Sequence, residues 1–139
     1  MTDDPVEEAR RVVAAYLDCS MNGDAAGARR YLADGCEIVF TGGRRMDGPG
    51  DPPAFNALRY AWVKKRSLRT DALRDTESGR VHVWNTGHLY GEWPDGTPFD
   101  GNRYVDFFAV EGGLILRTEV WNDSAEILLA RVGLAEAPL

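Results

Sequence analysis

Two carboxylates stand in the middle of a strongly apolar hairpin between Asn102 and Asn122. Tyr104–Val110 and Leu114–Trp121 are rich in aromatic and β-branched residues and predict two strands. Glu111-Gly112-Gly113 between them supplies the positive-φ positions of a tight turn. Side chains alternate along a strand. Tyr104, Asp106, Phe108 and Val110 therefore share one face of the first strand, and Ile115, Arg117, Glu119 and Trp121 share a face of the second. An ionised carboxylate buried without a partner is costly, so Asp106 and Glu119 have to be paired, neutral or functional.

What surrounds the hairpin has the make-up of an ordinary globular protein. With 139 residues, 44% of them hydrophobic, the chain fits one domain, residues 1–139, with a real core. A net charge of −6 argues against a general nucleic-acid or anionic-membrane surface. No apolar run approaches a membrane span, and the acidic start Met1-Thr-Asp-Asp-Pro-Val-Glu-Glu is wrong for a secretory signal, so a cytoplasmic location is expected. Cys19 and Cys36 then read as thiols rather than a disulfide. With two histidines, His82 and His88, on one segment, no zinc site is expected.

Asp3, Asp4 and Pro5 start a first helix whose apolar positions include Val6, Ala9, Val13, Tyr16 and Leu17, ending near Asn22-Gly23. Asp24 caps a short second helix to about Leu32, and Cys36–Phe40 predicts a strand. Met46–Pro53 is a loop, followed by a third helix from Ala54 to about Ser67 with Phe55, Leu58, Trp62 and Val63 on one side. Lys64, Lys65, Arg66 and Arg69 then fall at its C-terminal end, as a solvated helix end or as a clamp for an anionic group. Leu68 to about Arg74 and Arg80–Trp93 predict strands, Ser124–Val132 a closing helix, and the last residues are expected to be loosely held. Helices followed by a run of antiparallel strands argue for an α+β fold with a cavity between the layers.

This order resembles the nuclear-transport-factor-2-like cone, an α+β barrel whose curved antiparallel or mixed sheet wraps on about three helices. Within it the chain is similar to SnoaL-like polyketide cyclases, ketosteroid isomerases and phenazine-biosynthesis A/B proteins. Val12–Asp24 resembles the first helix of the isomerases and places their oxyanion-binding tyrosine on Tyr16. Val105–Gly113 resembles the strand that carries their neutral, donating aspartate, on Asp106. The position of their general base falls on Phe40, which cannot take a proton. Leu116–Asn122 resembles the last strand of the phenazine proteins and cyclases, which implies a pocket acid at Glu119, with a register that Thr118 can shift by one. The phenazine histidine falls near Arg59.

The resemblance implies a cofactor-free acid/base enzyme of secondary metabolism: an isomerase, cyclase or dehydratase acting on a small, apolar carbonyl or polyketide-like compound. Glu119 would transfer the proton, Asp106 and Tyr16 would stabilise the oxyanion, and His88 is a further catalytic candidate. Phe40, Arg59, Trp62, Tyr104, Phe108 and Trp121 are the candidate ligand-binding residues. Against these roles stand ion pairs of Glu119 and Asp106 with Arg103 or Arg117, a core role for Tyr16 and a structural role for His88. Two other readings stay open: a non-catalytic small-ligand or partner-binding cone, and epoxide opening by an Asp–Arg–Asp-like set built from Asp106, Arg103 or Arg117, and Glu119. Aromatic residues such as Trp84 and Phe107 suit a homodimer through the outer sheet face.

Overall fold

A computed structural model describes residues 4–136. Asp3 of the helix start and the final residues 137–139 of the expected loose end lie outside the described residues. Helix α1, Pro5–Met21, is capped by Asp4, whose carboxylate accepts from the Val6 amide at 2.9 Å. Asp24 caps α2, Ala25–Arg29, by accepting from Gly27 N at 2.8 Å. The chain continues through β1 (Leu32–Phe40), β2 (Arg44–Met46), α3 (Asp51–Arg59), β3 (Trp62–Arg74), β4 (Val81–Glu92), β5 (Pro98–Glu111), β6 (Leu114–Asn122) and α4 (Ser124–Arg131).

The six strands form one open mixed sheet in the order β2-β1-β6-β5-β4-β3. β1 runs parallel to β6, and every other neighbouring pair is antiparallel. The α+β expectation therefore holds: a cone-like sheet carries helices over its concave face. Ala9, Val13 and Tyr16 of α1 pack on Val81, Val83, Phe108, Val110 and Ile115 to form the core. The alternation is clear on β4, where Val81, Val83, Asn85, Gly87 and Leu89 are buried and His82, Trp84, Thr86, His88 and Tyr90 face the other side. Among the described residues no helix is long and apolar enough to cross a membrane.

Two stretches depart from the sequence expectation. Leu32, expected to end α2, opens β1. The third helix starts earlier, at Asp51-Pro52-Pro53, and stops at Arg59. Tyr60, 3% exposed, is held extended because its ring stacks on Trp93 at 5.4 Å and its hydroxyl donates to Ser124 Oγ at 2.6 Å. Everything after it is strand, so Leu58 projects into solvent and Trp62 and Val63 belong to β3.

Candidate functional site

Between α1, α3 and the concave face of the sheet lies a hollow of about 330 Å³. Its walls are mostly apolar: Leu17 and Met21 from α1, Ile38 and Phe40 from β1, Pro52 and Ala57 from α3, Leu89 from β4, and Phe108 from β5. The polar groups on it are few, which is the usual make-up of a small-molecule site. Tyr16, Ser20, Asn56, Tyr60, Lys65, Tyr104, Asp106, Thr118 and Asn122 supply them.

Asp106 is the centre of this set. It is 1% exposed, and its Oδ2 is ion-paired with Lys65 Nζ. Its Oδ1 has no hydrogen-bond partner among the described residues. The Lys65 ammonium lies over the Tyr104 ring, 4.9 Å from its centroid. Tyr104 is fixed in turn: its hydroxyl donates to Asn85 Oδ1 at 2.7 Å, and Asn85 Nδ2 donates to Ser67 Oγ at 2.7 Å and to Thr70 Oγ1 at 2.9 Å.

Tyr16 meets Phe108 edge to face at 5.8 Å. No hydrogen bond of its hydroxyl is found among the described residues, so the group is available to a ligand. Burial, reinforced by Cys36 and then by the charge of Asp106, pushes its pKa up to about 12. Tyr104 is likewise pushed to about 12 by burial and then by Asp106. Both phenols stay protonated at neutral pH and so keep an O–H to donate. Their folded values lie above the ordinary 10.0, so the stability gained by burying them is complete below pH 10.0 and is lost as pH rises through about 12. Urea midpoints followed across that window should fall, and should fall less steeply in Tyr16→Phe.

Solved structures share this architecture along nearly the whole chain. A protein from Jannaschia sp. CCS1, named for its likeness to SnoaL polyketide cyclases, superposes with a TM-score of 0.72 at 16% identity over 99% of each chain. The fold is the NTF2-like cone. An NTF2-like protein from Burkholderia thailandensis E264 gives a TM-score of 0.66 at 19% identity, over 94% of this chain and 98% of that one. TerC, co-crystallised with polyporic acid, gives 0.68 at 14% identity, over 87% and 95%. No protein-family model and no curated protein matches the sequence.

Within the cone, Asp106, Tyr16, Phe40, Trp62, Tyr104 and Phe108 all line the hollow. Glu119 does not. The structure corrects its expected face, and the reason is a β-bulge. Val110 pairs with Ile115 but Ala109 pairs with Arg117, so one extra residue is absorbed at Leu116. Ile115 points into the core, and beyond the bulge the parity reverses: Thr118 and Val120 face the hollow, while Arg117, Glu119 and Trp121 face out. There Arg117 donates to Glu119 Oε1 at 2.7 Å and also pairs with Glu37. Arg103 is held by Asp123 at 2.6 Å, so no Asp–Arg–Asp set assembles at the hollow.

Three further candidates lie away from it. His88 is on the outer face of β4, between Arg66 and Arg103 in register. Trp121 is 52% exposed on that face. Arg59 covers the Phe55 ring at 4.7 Å. Asn122 Oδ1 accepts from the Ser124 amide at 3.1 Å, fixing the start of α4. Among the described residues no cluster of three or more His, Cys, Asp or Glu could hold a metal ion.

Lys65 is the residue that sequence reasoning left out of the site. Read as a helix end, Lys64-Lys65-Arg66 is one basic cluster. As a strand, Val63 and Lys65 turn to the hollow while Lys64 and Arg66 turn away. The signal was present in Tyr60-Ala-Trp-Val63, an aromatic and β-branched run that favours extended chain. The pairing with Lys65 also alters Asp106: it is the acceptor of a charged hydrogen bond, where the isomerase resemblance implies a neutral, donating acid.

Proposed function

We propose that this cone is a cofactor-free acid/base catalyst that moves a proton on a small, largely apolar carbonyl compound. The observation that carries the reading is the meeting, in one apolar hollow, of a buried carboxylate and an unbonded phenol. In this reading Asp106 takes a proton from the carbon next to the carbonyl. The electron pair moves onto the carbonyl oxygen, where Tyr16 donates a hydrogen bond to the growing negative charge. Lys65 holds the carboxylate in place and offsets its charge. Return of the proton at another carbon completes an isomerisation, and attack of the enolate on a second carbonyl in the same molecule gives a cyclisation. The cyclase-like name of the Jannaschia neighbour and the polyporic acid bound to TerC support a carbonyl-bearing small molecule.

Proton abstraction can be measured without knowing the natural substrate. In heavy water the protein should speed deuterium entry beside the carbonyl of 2-tetralone, followed by proton NMR. Asp106→Asn should lower that rate by about 10²–10⁴-fold, and Tyr16→Phe by about 10²–10³-fold. Binding of 2-tetralone and larger ketones without any enhanced exchange would sink the catalytic reading. The Lys65–Asp106 ion pair specifically favours the second reading, a binding cone whose acid is structural, and that outcome would select it. Pairing of two copies through the outer aromatic cluster of His82, Trp84 and Phe107 belongs to the same proposal, and sedimentation velocity reads it.

A further inference from the structure

A second hollow of about 310 Å³ lies on the other side of Lys65, between α1 and strands β3 and β4. Arg10, Asp18, Ser67, Thr70 and Asn85 line it together with the apolar Val13, Ala14, Leu17 and Met21. Leu17, Met21, Lys65 and Tyr104 line both hollows. The hydrogen-bonded run from the Tyr104 hydroxyl through Asn85 to Ser67 and Thr70 lies along the sheet side of the second hollow. Lys65 is 21% exposed although the carboxylate it pairs with is shut off at 1%. Lys65 is thus the member of the pair whose side chain solvent reaches.

We infer that the second hollow is a separate water port serving the Lys65–Asp106 pair. Water and small polar solutes reach Lys65 from the α1 side while an apolar compound fills the first hollow. The proton traffic is balanced: Lys65 gives a proton to port water and takes one from Asp106, so that one proton leaves and the carboxylate is restored. An acid/base site sealed by its own substrate needs such an outlet if its proton is to exchange with solvent. That use of the port rests on the proposed function, whereas the port itself does not.

The sequence makes the test clean, because Lys64 and Lys65 are the only two lysines in the chain. Lys64 is exposed and serves as the internal reference. Cyanate adds across an amine N–H, and peptide mass spectrometry reads the extent at each lysine. Ala14 on α1 and Ala57 on α3 are both exposed, one on each hollow. Ala14→Trp should lower the Lys65-to-Lys64 labelling ratio about tenfold, by closing the route to a partly sheltered amine. Ala57→Trp should leave it unchanged, and Ser67→Phe, from the opposite wall, should repeat the Ala14→Trp result. The inference is overturned if Ala57→Trp is the variant that protects, if Ala14→Trp and Ser67→Phe do not, or if wild-type Lys65 stays unlabelled while Lys64 reacts. None of these readouts involves turnover, so the port can fail while the catalytic reading stands, and the reverse.

Discussion

Lys65→Met should destabilise the protein by about 3–5 kcal/mol, because it leaves the Asp106 carboxylate buried with no counter-charge. Asp106 is 1% exposed and its Oδ1 already lacks a partner, so among the described residues no other group is in place to take over from the ammonium. Methionine keeps most of the side-chain volume, which confines the effect to charge. The double variant Lys65→Met/Asp106→Leu should recover most of the loss, since removing both charges removes both desolvation costs. Urea denaturation of the four proteins forms a double-mutant cycle. A coupling near zero would mean that the pair is open to water in solution. The double variant should also be folded and inactive in the 2-tetralone exchange assay, which separates the structural contribution of the pair from its proposed chemistry.

Gly87→Ala should cost more than about 4 kcal/mol, a size reached by few single substitutions. A Cβ at Gly87 would lie 2.1 Å from the Arg66 carbonyl oxygen, and one at Gly91 would lie 2.2 Å from that of Trp62. Both obstacles are backbone atoms of β3, so no rotamer change relieves them, and the strands have to separate. In register, Gly87 opposes Ser67 and Gly91 opposes Val63, while Lys65 opposes Leu89 between them. The two close approaches therefore clamp β3 on either side of Lys65 and set how far its ammonium projects towards Asp106. Thermal unfolding checks the stability, and the cyanate ratio reads the geometry: a surviving Gly87→Ala protein should expose Lys65. Wild-type stability with an unchanged ratio would show that β3 has slack at this point.

Local chemistry made much of this fold legible. The Asp4 and Asp24 caps, the glycine turn at Glu111-Gly112-Gly113 and the alternation of Tyr104, Asp106 and Phe108 are short-range signals, and the structure follows them. The two misplaced features were decided by distant partners. Trp62–Ser67 carries residues acceptable to a helix, and the anchoring of Tyr60 by Trp93 and Ser124 drew it into the sheet. Glu119 was assigned a face by counting in twos from Ile115, and an extra residue in β6 made that count wrong. Lys65 went unrecognised for the first reason, and Glu119 was put forward as the acid for the second.

The bulge at Leu116 has an evolutionary reading. β6 carries enough residues to present either of two alternating sets to the interior, and the place where the surplus is taken up selects between them. Sliding that surplus to the far end of the strand would turn Arg117 and Glu119 inward and send Thr118 out. Asp106, on β5, would stay where it is, so a lineage could bring a second acid inside beside it by relocating a kink, with no change of residue at either position.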